Sequence, residues 1–327
     1  SPFASGSQPT GVGPDSPAFN QFLYVPNSAA NNITGYSVNL TTGALTVLST
    51  SPFGTGTSPR AIVVTPNGFW AYVANFGSNN VSARSIAVNG TLNAVTGSPY
   101  AAGTNPLHVT VDPAGKFLYV ANSGSNNVSA YTINNANGQL TAIAGSPFAA
   151  GLEPSFVQVD PSGKFLYVAN KDSDTVGIFS INATTGVLTS VGSSLTQSQP
   201  ASVAISVGNA AVSFVPKFTY AANNDTSDVT AKSFDAATGA QTPVAGSPFG
   251  GGTLPVIGAL NPAGTLLYVP NAGSFDISAW SVDATTGALT AVAGSPFAGG
   301  ISPFAAAVDP SGRFLLVANA GSADVSV

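Results

Sequence analysis

The sequence predicts an all-β fold: a seven-bladed β-propeller of four-stranded antiparallel blades, with blade 7 incomplete at its C-terminal end. Three observations carry this reading. One apolar run returns seven times at a nearly constant interval. Turn signals recur at fixed places around each copy. No long stretch shows the 3.6-residue apolar period of a helix, while short runs rich in Val, Tyr, Phe, Thr and Ile fill the space between turns.

The run is "FLYVPN" at 22–27, "WAYVAN" at 70–75 and "FLYVAN" at 117–122 and 165–170. It continues as "FTYAAN" at 218–223, "LLYVPN" at 266–271 and "FLLVAN" at 314–319. Measured from Tyr24 through Tyr72, Tyr119, Tyr167, Tyr220 and Tyr268 to Leu316, the steps are 48, 47, 48, 53, 48 and 48 residues, so one insertion precedes Tyr220. Repeats of this length with four short strands are the mark of a propeller blade. A lone blade buries too little apolar surface to offset its chain entropy, and stacking covers both faces of its inner strands. That explains why the run is apolar almost throughout, where a half-exposed strand would alternate.

The other elements follow in order within each unit. A strand such as "SFVQVD" comes first and ends in a "DPSG"-type turn, at Asp112, Asp160, Asn261 and Asp309. The apolar run is the second strand, and its terminal Asn is expected to cap the loop backbone. A third strand such as "TVGIFSI" leads to an "ATTG"-type turn, a fourth such as "GVLTSV" follows, and "GSPF" closes the unit. Gly and Pro punctuate these turns because one permits positive φ and the other presets it. The N-terminal "SPFASG" matches the tail of a unit, whereas "SADVSV" stops in the third strand of blade 7. Both ends therefore belong to one blade, and its open edge suggests self-association or a longer chain. The unbroken repeat makes residues 1–327 a single propeller domain.

Composition narrows the function. Only 6% of residues are charged, the net charge is −5, and the eight basic residues form no cluster, so nucleic acid is not an expected partner. There is no Cys for a disulfide, metal thiolate or nucleophile. No apolar run reaches the length of a membrane span, and neither a haem motif nor a Gly-rich phosphate loop stands out. A surface made of Ser, Thr, Asn and Gly suits an extracellular or cell-surface protein with a carbohydrate or protein ligand. Seven Asn-X-Ser/Thr sequons, including Asn32, Asn80 and Asn127, follow from the abundance of Asn and Thr.

"LYVAN" followed by "GSNNVSAY" resembles the YVTN-type seven-bladed propellers, which group with the lactonase-like (phosphogluconolactonase-like) propellers. The resemblance spans the whole chain. It implies the propeller fold, occurrence among bacterial surface and secreted proteins, and kinship with lactone hydrolases. Those hydrolases carry a His-Pro-His segment entering an inner strand. The matching stretch here is "TNPLHVTV", with Asn105 before Pro106, Leu107 after it, and His108 one residue later, on the other face of a strand.

Two groups of residues could carry chemistry. Arg60 follows Pro59, His108 lies two after Pro106, and Glu153 precedes Pro154; these prolines are equivalent positions leading into inner strands. The single His, the single Glu and one of three Arg are thereby expected around one mouth of the channel, an arrangement able to hold a carboxylate and move a proton. The second group is acidic: Asp172, Asp174, Asp225 and Asp228 in "NKDSDTV" and "NNDTSDV" offer oxygens to a weak Ca²⁺ site, or close Asx turns as Asn does in the other blades. No other cofactor is expected. The reading favoured by composition is a non-enzymatic structural or binding module; the alternative is a lactonase-like hydrolase acting at the channel mouth.

Overall fold

The computed structural model describes residues 3–4, 7–8, 13–14, 22–207, 216–235, 237–309 and 311–327. Seven antiparallel sheets follow one another along the chain. Blade 4 is representative, with strands Pro154–Val159, Phe165–Asn170, Thr175–Ile181 and Leu188–Leu195 running from the channel outward. The Tyr-Val-Ala-Asn run is the second strand of each blade, as the repeat predicts, beginning at Leu315 in blade 7. Among the described residues the only helical element is the single turn Lys171–Ser173. The insertion ahead of Tyr220 falls largely at 208–215, outside the described residues.

The repeated residues join each blade to the next. Seven apolar clusters form the core, each drawn from two adjacent blades. The second strands are buried on both faces, which is why their sequences do not alternate. The tyrosines of four of these strands reach across the blade interface. Tyr24 donates to the carbonyl of Gly90 at 2.8 Å, Tyr72 to Gly138 at 3.0 Å, Tyr119 to Gly186 at 2.9 Å and Tyr220 to Gly287 at 2.9 Å. The aromatic ring that opens the run lies over the same glycine. A Cβ on Gly138 would stand 2.3 Å from the Trp70 ring, and Gly138 also has φ +72°, so the "ATTG"-type turn needs glycine twice over. The ring closes by the same device, with Phe314 of blade 7 against Gly43 of blade 1. Leu23, Val25, Tyr36 and Leu45 pack there on Leu316 and Val325.

The asparagine that ends each second strand has a different partner from the one expected. Its Nδ2 donates to side chains of its own blade's third strand, as Asn122 does to Asn127 Oδ1 at 2.8 Å and to Ser129 Oγ at 2.9 Å. Among the described residues the loop backbone reaches its amide oxygen at Asn170 and Asn319, from Gly151 and Gly300. The "GSPF" segments add a two-residue strand, such as Phe148–Ala149, that pairs with the third strand beside the outer one. Their serine caps that strand, as Ser146 Oγ accepts from Ala130 N at 2.9 Å.

Blade 7 has three strands of its own, Pro303–Val308, Leu315–Asn319 and Asp324–Ser326. Phe3–Ala4 pairs with its third strand, Phe3 opposite Val325 and Ala4 opposite Asp324. Phe3–Ala4 takes the place that the "GSPF" pair takes elsewhere, and among the described residues blade 7 has no counterpart of the fourth strand, as the sequence predicts.

Candidate functional site: the mouth of the central channel

A bulge shapes the channel mouth. In blades 2, 3, 4, 5 and 7 the ladder between first and second strands skips one residue after the leading proline. The skipped residues are Arg60, Leu107, Ser155, Ala201 and Phe304, and all five line one cavity of about 180 Å³. A bulge leaves its extra residue unpaired and re-aims the side chain, here toward the lumen. Glu153, Lys171 and Asn224 complete the polar lining, and Val256 and Ile257 of blade 6 complete the apolar wall.

The polar groups converge on that wall. Lys171 Nζ stands 3.4 Å from Glu153 Oε1, with both side chains about one-third exposed. Glu153 sits at φ +46°, its N–H held by Asn126 Oδ1 of blade 3 at 2.9 Å. Ser58, Asn105 and Gln199 hold the same left-handed position in their blades, so the backbone there is architectural and the carboxylate is what blade 4 adds. Arg60 lies over the Phe76 ring, 5.1 Å from its centroid, and its buried Nε has no acceptor among the described residues. Burial lowers the guanidinium pKa from its ordinary value. Ser155 is no nucleophile: its hydroxyl is buried against the carbonyls of Pro200, at 3.0 Å, and Ala169, at 3.3 Å. Asn224 donates to the Pro255 carbonyl at 2.6 Å, leaving its amide oxygen for the lumen.

His108 does not share this opening. The bulge gives the mouth Leu107 and turns His108 to the other face, so the expected trio is reduced to Arg60 and Glu153. The imidazole stacks on Phe156 of blade 4, with ring centroids 3.8 Å apart, and its Nδ1 meets the Val157 carbonyl at 3.1 Å. That acceptor requires the proton on Nδ1, which leaves the Nε2 lone pair free. Burial pushes the His108 pKa down to about 4, against the opposing pull of the Val157 carbonyl, so the ring is neutral. It lines a second cavity, of about 300 Å³, further along the inner strands beside Gln158, Ile205 and Leu260.

The acidic loops hold the blades together. Asp174 Oδ1 accepts from Gln199 N of blade 5 at 2.8 Å, as Asn31, Asn79 and Asn126 accept from Ser58, Asn105 and Glu153. Asp228 accepts from Asn223, as Asn127 does from Asn122. Asp225 accepts from Ser198 Oγ at 3.2 Å, and Asp172 lies on the single helical turn. Among the described residues, no three His, Cys, Asp or Glu come close enough together to hold a metal ion.

Lys171 and Asn224 were not singled out from the sequence. Both directly follow the terminal Asn of the repeat, where other blades have Ser123, Ala272 or Ala320. Aligning the repeats and asking which copy departs would have found them.

The fold is shared with several solved structures. A Bacteroides fragilis protein provisionally assigned as a 6-phosphogluconolactonase is 22% identical, with TM-score 0.76 over 92% of this chain and 86% of that one. The periplasmic gluconolactonase of Pseudomonas aeruginosa is 19% identical, with TM-score 0.73 over 90% and 86%. A catalytically inactive virginiamycin B lyase from Staphylococcus aureus is 15% identical, with TM-score 0.67 over 99% and 97%. At these identities the likeness speaks for the fold alone. No curated protein sequence matches the chain significantly. The family model for lactonases with a seven-bladed β-propeller matches residues 16–205 and 219–327, most of the chain, and the protein belongs to that family.

Proposed function

We propose that the protein is a lactone hydrolase acting at this channel mouth. Membership of the lactonase family overturns the non-enzymatic module that composition favoured. The observation that carries the proposal is the meeting of two cations and one carboxylate, Arg60, Lys171 and Glu153, on one mostly apolar cavity.

The chemistry follows from those groups. A lactone enters with its carbonyl oxygen toward the Arg60 guanidinium, which lines the cavity. The Glu153 carboxylate takes a proton from water, and the water oxygen bonds to the carbonyl carbon. The oxyanion is stabilised by the Arg60 guanidinium and Lys171 ammonium, strengthened by the low dielectric of Leu107, Val256, Ile257 and Phe304. Collapse breaks the ring C–O bond, Glu153 returns the proton to the departing alkoxide, and a hydroxy acid leaves. His108, neutral and turned away, takes no proton in this scheme.

The test is steady-state hydrolysis of a lactone panel by pH-stat. Glu153→Gln should lower kcat by about 10²–10⁴, the usual span for a general base. Arg60→Gln should lower kcat by about 10²–10³, the usual loss for an oxyanion donor. Turnover undiminished in both variants would sink the assignment.

A further inference from the structure

Blade 4 departs from the repeat at two places where neighbouring blades carry polar side chains. The first lies seven residues after the terminal Asn of the second strand. Thr34, Ser82, Ser129, Thr230, Ser278 and Ser326 stand there in the other six blades, and blade 4 has Gly177. Each of those hydroxyls accepts from the Nδ2 of its blade's Asn at 2.8–2.9 Å. Asn170 Nδ2 keeps one acceptor, Thr175 Oγ1 at 3.1 Å. An amide nitrogen carries two hydrogens, and Asn170 is only 1% exposed. Its second N–H therefore faces the space that Gly177 leaves, where a Cβ would stand 3.2 Å from Nδ2.

The second place lies nine residues after the Asn. There the side chain crosses to a carbonyl at the outer edge of the preceding blade. Arg84 donates to Gly54, Tyr131 to Ala101 at 2.5 Å, and Lys232 to Leu195. These acceptors are equivalent, each opposite the first residue of its blade's third strand. Ala149 is their counterpart in blade 3, opposite Asn127. The matching residue of blade 4 is Phe179, which has no donor. Both departures open onto one cavity of about 380 Å³, lined by Ala149, Asn170, Gly177 and Phe179 and edged by Ser190 and Ser193 of the outer strand. That volume falls in the span of about 300–1,000 Å³ usual for small ligands. No charged side chain lines the cavity, and none of its lining residues belongs to the channel mouth.

We propose that this cavity is a second binding site, separate from the mouth, for a neutral sugar. What blade 4 lacks is hydroxyls, since blade 3 places Ser129 Oγ and the Tyr131 hydroxyl at the same two positions. A pyranose supplies them again, because each sugar hydroxyl both donates and accepts. One accepts from Asn170 Nδ2, and a second donates to the Ala149 carbonyl. The C–H groups of the ring meet Phe179. A phosphorylated or carboxylated sugar does not fit, because its charge would lose water without gaining a partner.

The experiment restores the repeat in blade 4. Gly177→Ser returns the residue of blade 3, and so does Phe179→Tyr. Binding is read by calorimetric titration with the methyl glycosides of glucose, galactose, mannose and N-acetylglucosamine. At least one should saturate the wild-type protein at about millimolar concentration, the range open to a ligand of so few atoms. Each variant should weaken that binding about tenfold or more, the usual loss of one hydrogen bond in a buried site. Both should leave lactone hydrolysis unchanged, and Arg60→Gln should leave the sugar bound as before. Either variant decides alone should the other fold poorly. No saturable binding of any of the four glycosides overturns the inference. So does binding that survives both restorations, or that is lost with Arg60→Gln.

Discussion

His108 offers a quantitative separation of structural from catalytic roles. Its pKa falls from the ordinary 6.5 to about 4 because the ring is buried against Phe156. A base with a depressed folded pKa adds stability above its unfolded pKa and loses it as pH falls toward the folded value. The unfolded chain binds the extra proton between pH 6.5 and 4, so the window for this group is fixed by those two values. Going from pH 7.5 to pH 4.5 should cost about 2–3 kcal/mol through His108 alone, at about 1.36 kcal/mol per pKa unit. His108→Phe keeps the stack on Phe156, removes the titration, and sacrifices the bond to Val157 at every pH. Its stability should therefore fall less than the wild type's on acidification. The unfolding entropy of 327 residues is about 0.7 kcal/mol/K, so the difference between the two Tm shifts should be about 3–4 °C. Circular dichroism melts of both proteins at pH 7.5 and 4.5 measure it. Parallel shifts would show that His108 is not held neutral by burial and would refute the reasoning.

Three further predictions concern the blade interfaces and the mouth. Tyr119→Phe leaves the Gly186 carbonyl without its partner and should cost about 1–3 kcal/mol. Tyr167→Phe should be neutral or stabilising, since the buried Tyr167 hydroxyl has no acceptor, so equal loss in urea midpoints for the two variants would contradict the account. Gly186→Ala forces a Cβ to 2.5 Å from the Phe117 ring at φ +72° and should cost about 2–4 kcal/mol, while Gly250→Ala, with open space around it, should be nearly silent in the same melts. Lys171→Met leaves Glu153 without its ion pair and should lower lactone kcat/KM about tenfold to a hundredfold; because both groups are partly exposed, Tm should move by less than about 2 °C.

The fold was legible because each repeated residue answers to the same physical demand in each blade. Tyr, the opening aromatic and the turn glycine meet across four of the interfaces, through Tyr24, Tyr72, Tyr119 and Tyr220, so their spacing encodes the ring. The candidate site was only half legible, for the opposite reason: it consists of departures from the repeat. Arg60 and Glu153 stood out as rare charges beside equivalent prolines. The bulge after those prolines was not visible, since it depends on how two strands pair, and it decides that Leu107 rather than His108 enters the mouth. Of the two readings of the acidic loops, the hydrogen bonds of Asp174 and Asp228 match the turn reading, in which Asp does the work of Asn in neighbouring blades.

In the proposed reaction the ring of a lactone sits at the mouth, between the two cations and the carboxylate. A crystal structure with a bound lactam, the unreactive isostere of a lactone, tests it most directly. The lactam carbonyl is expected within hydrogen-bond reach of Arg60, with a water between Glu153 and the carbonyl carbon. A lactam bound elsewhere on the propeller, with the mouth holding solvent alone, would contradict it.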